Sequence, residues 1–189
     1  MPLTNTAQRW GHLSQALHWI VVALIAWLAW LGLTMVDLPL GPQKIHTYAL
    51  HKSIGLSVLA LATLRLAWRL VAGHPQHVIG VAHWQHRIAD LTHGALYVLL
   101  FAIPLSGWLF NSLSGFPLQW FGLFNLPALA GKDKALAELA ADTHETLFWA
   151  LAVLVALHAA AALHHHFVLK NDTLRRMLPR FSTQQDPSA

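Results

Sequence analysis

The sequence predicts an all-α integral membrane protein, a four-helix bundle with up-down-up-down topology. Three observations predict it. Of 189 residues, 56% are hydrophobic and only 11% are charged, a balance too apolar for a soluble domain of this length. Four apolar runs are each long enough to cross a hydrocarbon core, which takes about 20 residues. None of the four shows the polar face that a soluble bundle needs. One unit over 1–180 holds all four, without internal repeats, and the last stretch, 181–189, is polar enough to be disordered.

The first run, about 16–36, reads "ALHWIVVALIAWLAWLGLTMV". It is too long for a signal peptide and lacks a small-residue cleavage pattern at its end. The second, about 50–71, is "LHKSIGLSVLALATLRLAWRLV", and the third, about 91–113, is "LTHGALYVLLFAIPLSGWLFNSL", with Pro104 expected to kink it. The fourth covers about 143–167. The stretch 114–142 opens with the aromatic-rich "GFPLQWFGLFNLPALAG", which suits the membrane–water interface, as do Trp10, Trp30, Trp108 and Trp120 among the nine tryptophans.

Loop charges orient the bundle. With a cytoplasmic N-terminus, the inner side collects Arg9, Arg65, Arg69, Arg87, Lys170, Arg175, Arg176 and Arg180. The outer side keeps Lys44, Lys52, Lys132 and Lys134, mixed with Asp37, Asp133, Glu138, Asp142 and Glu145. Basic residues therefore favour the inside, and both termini are expected in the cytoplasm. The formal charge of +4 is scattered between apolar runs and forms no stripe for nucleic acid. Cysteine is absent, which removes disulfides, Cys-ligated clusters and c-type haem attachment, whereas histidine occurs fourteen times.

Two of those histidines, His144 and His158, stand in the fourth run as "HETLFWALAVLVALH". Fourteen residues fall about 40° short of four helical turns and span about 21 Å, so the two share a face at different depths. Alternating helix directions bring His51, at the head of the second run, level with His144. His18, at the head of the first, is level with His158. Two cross-bundle pairs result, His51 with His144 and His18 with His158. Facing neutral imidazoles suit a haem iron in a bundle core, whereas an isolated zinc ion would want three or four ligands at one point. Two stacked haem sites are therefore expected. Gly55, Ser57 and the run 159–162 are small enough to admit a macrocycle. Arg65 lies fourteen residues after His51, at the inner depth, and is a candidate counter-ion for a haem propionate. Snorkelling beside Arg69 is its alternative reading.

The ordered blocks "ALHWIV", "HKSIG" with "RLAWRL", "THGALYVLLFAIPLSGW" and "HETLFWALAVLVALHAAAALHHHFVLKNDTLRRMLPR" resemble the bacterial di-haem cytochrome b-561 proteins. These are relatives of the b-type membrane subunits of hydrogenases and formate dehydrogenases. The resemblance runs from Gln8 to Arg180 and implies axial ligands at His18, His51, His144 and His158. It also implies electron exchange across a bacterial inner membrane with the quinone pool. Some similar proteins oxidise superoxide outside and reduce ubiquinone. A local attraction of that anion by Lys52, Lys44, Lys132 and Lys134 is one reading, and ordinary solvated loop charge is the other.

Competing histidines remain. His93 is the challenger at the inner site, where it is a candidate axial ligand, a quinone partner or a proton relay. His46 challenges the outer site but is expected in a loop. His74, His77, His83 and His86 fall in or near the inner connection, and His164, His165 and His166 near the inner interface. Three functions stay open on the residues: a free-standing di-haem oxidoreductase, the membrane anchor and electron conduit of a larger dehydrogenase or hydrogenase, and a non-redox carrier using its histidines.

Overall fold

The computed structural model describes residues 3–76, 78 and 80–179. The tail 181–189, expected to be disordered, lies outside the described residues, as do His77 and Arg180. Four helices dominate: α1 (His12–Met35), α2 (Pro42–Ala72), α3 (His83–Leu113) and α4 (Lys134–Phe167). Each is long and apolar enough to cross a membrane. Successive helices pack against one another, whereas among the described residues α1 and α4 have no Cα atoms within 8 Å of each other. Side chains that a soluble bundle would bury stay exposed on the outside, among them Trp27, Leu64, Val98, Val153 and Leu157. Lipid is the solvent that makes such a surface stable.

The helices begin earlier than the apolar runs. α1 starts at His12 rather than 16, α2 at Pro42 rather than 50, α3 at His83 rather than 91, and α4 at Lys134 rather than 143. Hydropathy marks the part of a helix in hydrocarbon, whereas backbone hydrogen bonding continues into the headgroup region. A helix of 31 residues is about 46 Å long, well beyond the ~30 Å core. Two of the starts have a clear local cause. Proline is favoured in the first turn, where its missing N–H costs nothing, and Pro42 occupies that place in α2. In α4 the Asp133 carboxylate accepts from the Leu136 N–H at 3.0 Å.

His46 and Lys44, expected in a loop, therefore belong to α2. Lys44 Nζ donates to the carbonyls of Val36 and Leu38, both at 2.9 Å, and so caps the C-terminal end of α1. α3 runs unbroken through Pro104.

The outer connection holds an antiparallel hairpin, β1 (Leu118–Trp120) and β2 (Phe124–Leu126), with Leu118 opposite Leu126 and Trp120 opposite Phe124. The turn uses left-handed backbone at Phe121 (φ 48°) and Gly122 (φ 72°), which costs a non-glycine residue about 1–2 kcal/mol. Two serines of α2 hold it there. Ser53 Oγ accepts from the Phe121 N–H at 3.0 Å, and Ser57 Oγ accepts from Trp120 Nε1 at 3.0 Å. Beside them Lys52 Nζ donates to Asn111 Oδ1 at 3.0 Å, and Asn111 Nδ2 donates to the Phe116 carbonyl at 2.8 Å. The hairpin thus closes the α2–α3 gap at the outer end.

The inner end is closed by chain segments from three places. Arg9 donates to the carbonyls of Arg175 (2.8 Å) and Leu178 (3.0 Å), and Trp19 Nε1 to that of Met177 (3.0 Å). Arg176 reaches the Gln76 carbonyl at 2.6 Å, and Asn5 the Gly73 carbonyl at 2.8 Å. Between the two ends lies an apolar waist of Val21, Val58, Ala62 and Leu100, packed by Leu24, Leu28 and Phe101.

Replacing Asn111 removes the acceptor of a half-buried ammonium and a donor to the segment leading into the hairpin at once. Asn111→Ala should lower stability by about 1–3 kcal/mol, read as a lower thermal midpoint in detergent, whereas the exposed Lys134→Ala should leave the midpoint unchanged.

Candidate functional site

The structure brings four of the singled-out histidines together in two pairs. At the outer level the rings of His51 (α2) and His144 (α4) have centroids 6.3 Å apart. At the inner level His18 (α1) and His158 (α4) are 6.5 Å apart, and both pairs meet at 74° between ring planes. Two imidazoles on opposite sides of one iron, each with a nitrogen–metal bond of about 2 Å, place their centroids roughly 6–6.5 Å apart. Both pairs have that spacing. His93, on α3, lies 5.3 Å from His158, too close for an iron between them. Among the described residues no three His, Asp or Glu side chains converge as an isolated metal ion would require.

Each outer ring is held by its neighbours. His144 Nδ1 lies 2.9 Å from the Ile103 carbonyl and 3.1 Å from Ser106 Oγ. A carbonyl can only accept, so Nδ1 carries the proton and the Nε2 lone pair is left for a metal. Ser106 completes the arrangement by donating its own hydroxyl to Ile103 at 2.8 Å. The ring approaches α3 so closely that a Cβ on Gly107 would stand 2.9 Å from its Cε1. His51 leans on α1 in the same manner: a Cβ on Gly32 would meet its Cε1 at 3.3 Å. The Leu28 backbone lies near enough to act on the His51 ring, although its Nδ1, which is buried, closes no hydrogen bond. Glycines on two helices thus make room for imidazoles from the other two.

Between these rings opens a cavity of about 490 Å³, lined by His51 and His144 together with Gly32, Gly55, Pro104 and Phe148, and rimmed by Glu145. Its floor is the waist, through Leu28, Val58 and Leu100. A large, mostly apolar space with two facing nitrogen ligands suits a flat macrocycle and gives a bare cation no third ligand.

The inner pair has different surroundings. Arg65 Nη1 stands 2.7 Å from His18 Nδ1, and its guanidinium lies 6.0 Å from the centre of the Tyr97 ring. Arg69 approaches the same ring at 5.9 Å. Arg65 therefore points into the bundle toward the inner histidines.

Other described histidines have partners of their own. His83 and His86 begin α3 with rings 6.5 Å apart, and His165 Nδ1 is bonded to Asn171 Nδ2 at 2.8 Å near the end of α4. Sequence reasoning missed Ser106, Gly107 and Gly32. A Ser-Gly pair just after a proline, at the depth of His144, was the available signal for the first two.

This arrangement has relatives. A family model described as prokaryotic cytochrome b561 matches residues 9–180. The chain belongs to the prokaryotic cytochrome b561 family. It is 38% identical over 184 residues to cytochrome b561 homolog 2 of Escherichia coli (strain K12), covering 97% of this chain and 98% of that protein. It is 33% identical over 173 residues to cytochrome b561 homolog 1 of the same organism, covering 87% and 93%. A protein of Yersinia pestis named "Probable superoxide oxidase CybB" is 28% identical over 173 residues, covering 92% and 97%. Membership implies binding of b-type haem, and the residues of the outer cavity fit such a group in ligand type, spacing and room.

The close approach at Gly107 makes a selective prediction for this cytochrome b561. Gly107→Ala should push His144 out of place and lower the haem bound per chain. Gly94→Ala, where an added Cβ meets nothing within 4 Å, should keep the full complement by pyridine haemochrome assay.

Proposed function

We propose that this chain is a di-haem b-type cytochrome that moves electrons across the bacterial inner membrane in exchange with ubiquinone. The observation that carries the reading is the pair of imidazole couples, each at iron-spanning distance and set about 21 Å apart along α4. His51 and His144 would ligate the outer haem, His18 and His158 the inner one, with Arg65 as partner of an inner propionate. Such a haem, held by two imidazoles, would supply one-electron exchange, which suits electron transfer.

The chain's own residues prepare the rest. Ile103 and Ser106 hold His144 in the tautomer that leaves Nε2 free, and Gly32 and Gly107 fix where the rings lie. The apolar waist keeps water from the space between the levels. Basic residues favour the cytoplasm for both termini.

Superoxide is the donor the outer face supports best. Two superoxide anions each give up one electron and leave as dioxygen. The two electrons, with two protons from water, convert one ubiquinone to ubiquinol. Lys52 follows His51 directly and is held by the neutral Asn111 amide, and Lys44 by neutral carbonyls. These neutral partners offset none of the cationic charge near the outer site, where an anion would feel it. Lys134 instead pairs with Glu138 at 3.9 Å on the surface. The name carried by the Yersinia pestis relative agrees with this donor.

Two measurements test the reading. His51→Ala and His144→Ala should abolish the same haem component of the spectrum, and His18→Ala and His158→Ala the other; loss of different components within one pair would refute the ligand assignment. Lys52→Gln should slow superoxide-driven ubiquinone reduction several-fold and weaken its salt dependence without loss of haem. An unchanged rate and salt dependence would exclude Lys52 from anion capture.

A further inference from the structure

We propose that Arg65 makes the inner histidine pair the higher-potential of the two sites, giving the chain a built-in inward direction for electrons. The inference rests on the di-haem reading above and adds to it the residue that orders the sites. Reducing a haem site makes it more negative by one charge, so a nearby cation stabilises the reduced form. In a low-dielectric bundle core that effect reaches further than in water.

The charges around the two pairs differ in sign and in reach. At the inner level Arg65 stands against His18, 2.7 Å from its Nδ1, with its guanidinium over Tyr97. Arg69 adds a second guanidinium beside Tyr97. Asp90, three residues before His93 on α3, is the carboxylate that opposes them. What matters is the charge rather than the particular hydrogen bond: Arg65 stays at this level whether it meets His18 or a haem propionate.

At the outer level the polarity is reversed. His144 donates Nδ1–H to a carbonyl, which makes the ring a more electron-rich ligand and favours the oxidised metal. Glu145 places a carboxylate on the rim of the outer cavity. Lys52, the cation beside His51, works against this order, but it is turned onto Asn111 of α3, whereas Arg65 stands against the ligand ring itself. Ligand hydrogen bonding, the Glu145 carboxylate and the Arg65 guanidinium thus favour the same order, outer below inner.

Optical redox titration of the purified, haem-loaded protein tests this without recourse to turnover. Wild type should titrate as two b-haem components, and His158→Ala, which removes an inner ligand, should abolish the higher-potential one. Arg65→Gln should move that component down toward the other and leave the lower one in place, whereas Arg65→Lys, which keeps the charge, should shift it far less. Should Arg65→Gln fail to retain the inner haem, the order read from wild type and His158→Ala still decides. The proposal is overturned if His158→Ala abolishes the lower component, or if Arg65→Gln leaves both potentials unmoved. Failure of the di-haem reading itself would look different, as fewer than two b-haem components in wild type.

Discussion

An imidazole ring placed among apolar helices needs a partner for each of its two nitrogens, and the architecture of this chain follows from meeting that need. A buried polar atom without a hydrogen bond costs on the order of 1–3 kcal/mol, and in hydrocarbon no water offers relief. His144 meets half of the requirement through the Ile103 carbonyl and the Ser106 hydroxyl. Its other nitrogen faces a cavity whose opposite wall is His51. A metal held between the rings would satisfy both at once. The glycines at 32 and 107 serve that placement, because each lets an imidazole come closer to a neighbouring helix than an ordinary side chain would allow.

The two ends of the bundle are closed by polar means and the middle by apolar ones. Outside, the serine hydroxyls of α2 grip the hairpin while Lys52 and Asn111 bridge α2 and α3. Inside, arginine, tryptophan and asparagine side chains from the N-terminal half seek backbone carbonyls of the C-terminal segment and of the α2–α3 connection. These contacts stand where water and headgroups begin, so groups that would be costly in hydrocarbon are inexpensive there. The waist of Val21, Val58, Ala62 and Leu100 separates the two levels. α1 and α4 leave each other free, and the outer cavity lies between the two helical hairpins rather than inside a tight four-way core.

Much of this was legible in the sequence, for physical reasons that differ by element. The four helices were visible because a bilayer demands about twenty apolar residues. Depth could then be read by counting 1.5 Å per residue, and this count is what sets His51 level with His144 and His18 level with His158. The helix starts were hidden because composition follows the solvent and not the hydrogen bonds; thus His46 and Lys44, in a polar stretch, are helical. The hairpin was hidden because its strands are three residues long and Phe121 is held in left-handed backbone by a serine 68 positions away. The capture of Lys44 by carbonyls of α1 and the inner clasp are likewise tertiary, made to backbone atoms that every residue carries. His93 shows what geometry adds: residue type and depth made it a candidate ligand, and its ring lies 5.3 Å from that of His158, too close for an iron between those two.

The most direct test of two bis-histidine haem sites is a reduced-minus-oxidised optical spectrum of the purified full-length chain, with haem quantified per polypeptide. The account predicts two low-spin b haems per chain, insensitive to carbon monoxide because both axial positions of each iron are filled. A colourless protein from haem-replete cells, or one haem with an open coordination position, would contradict it.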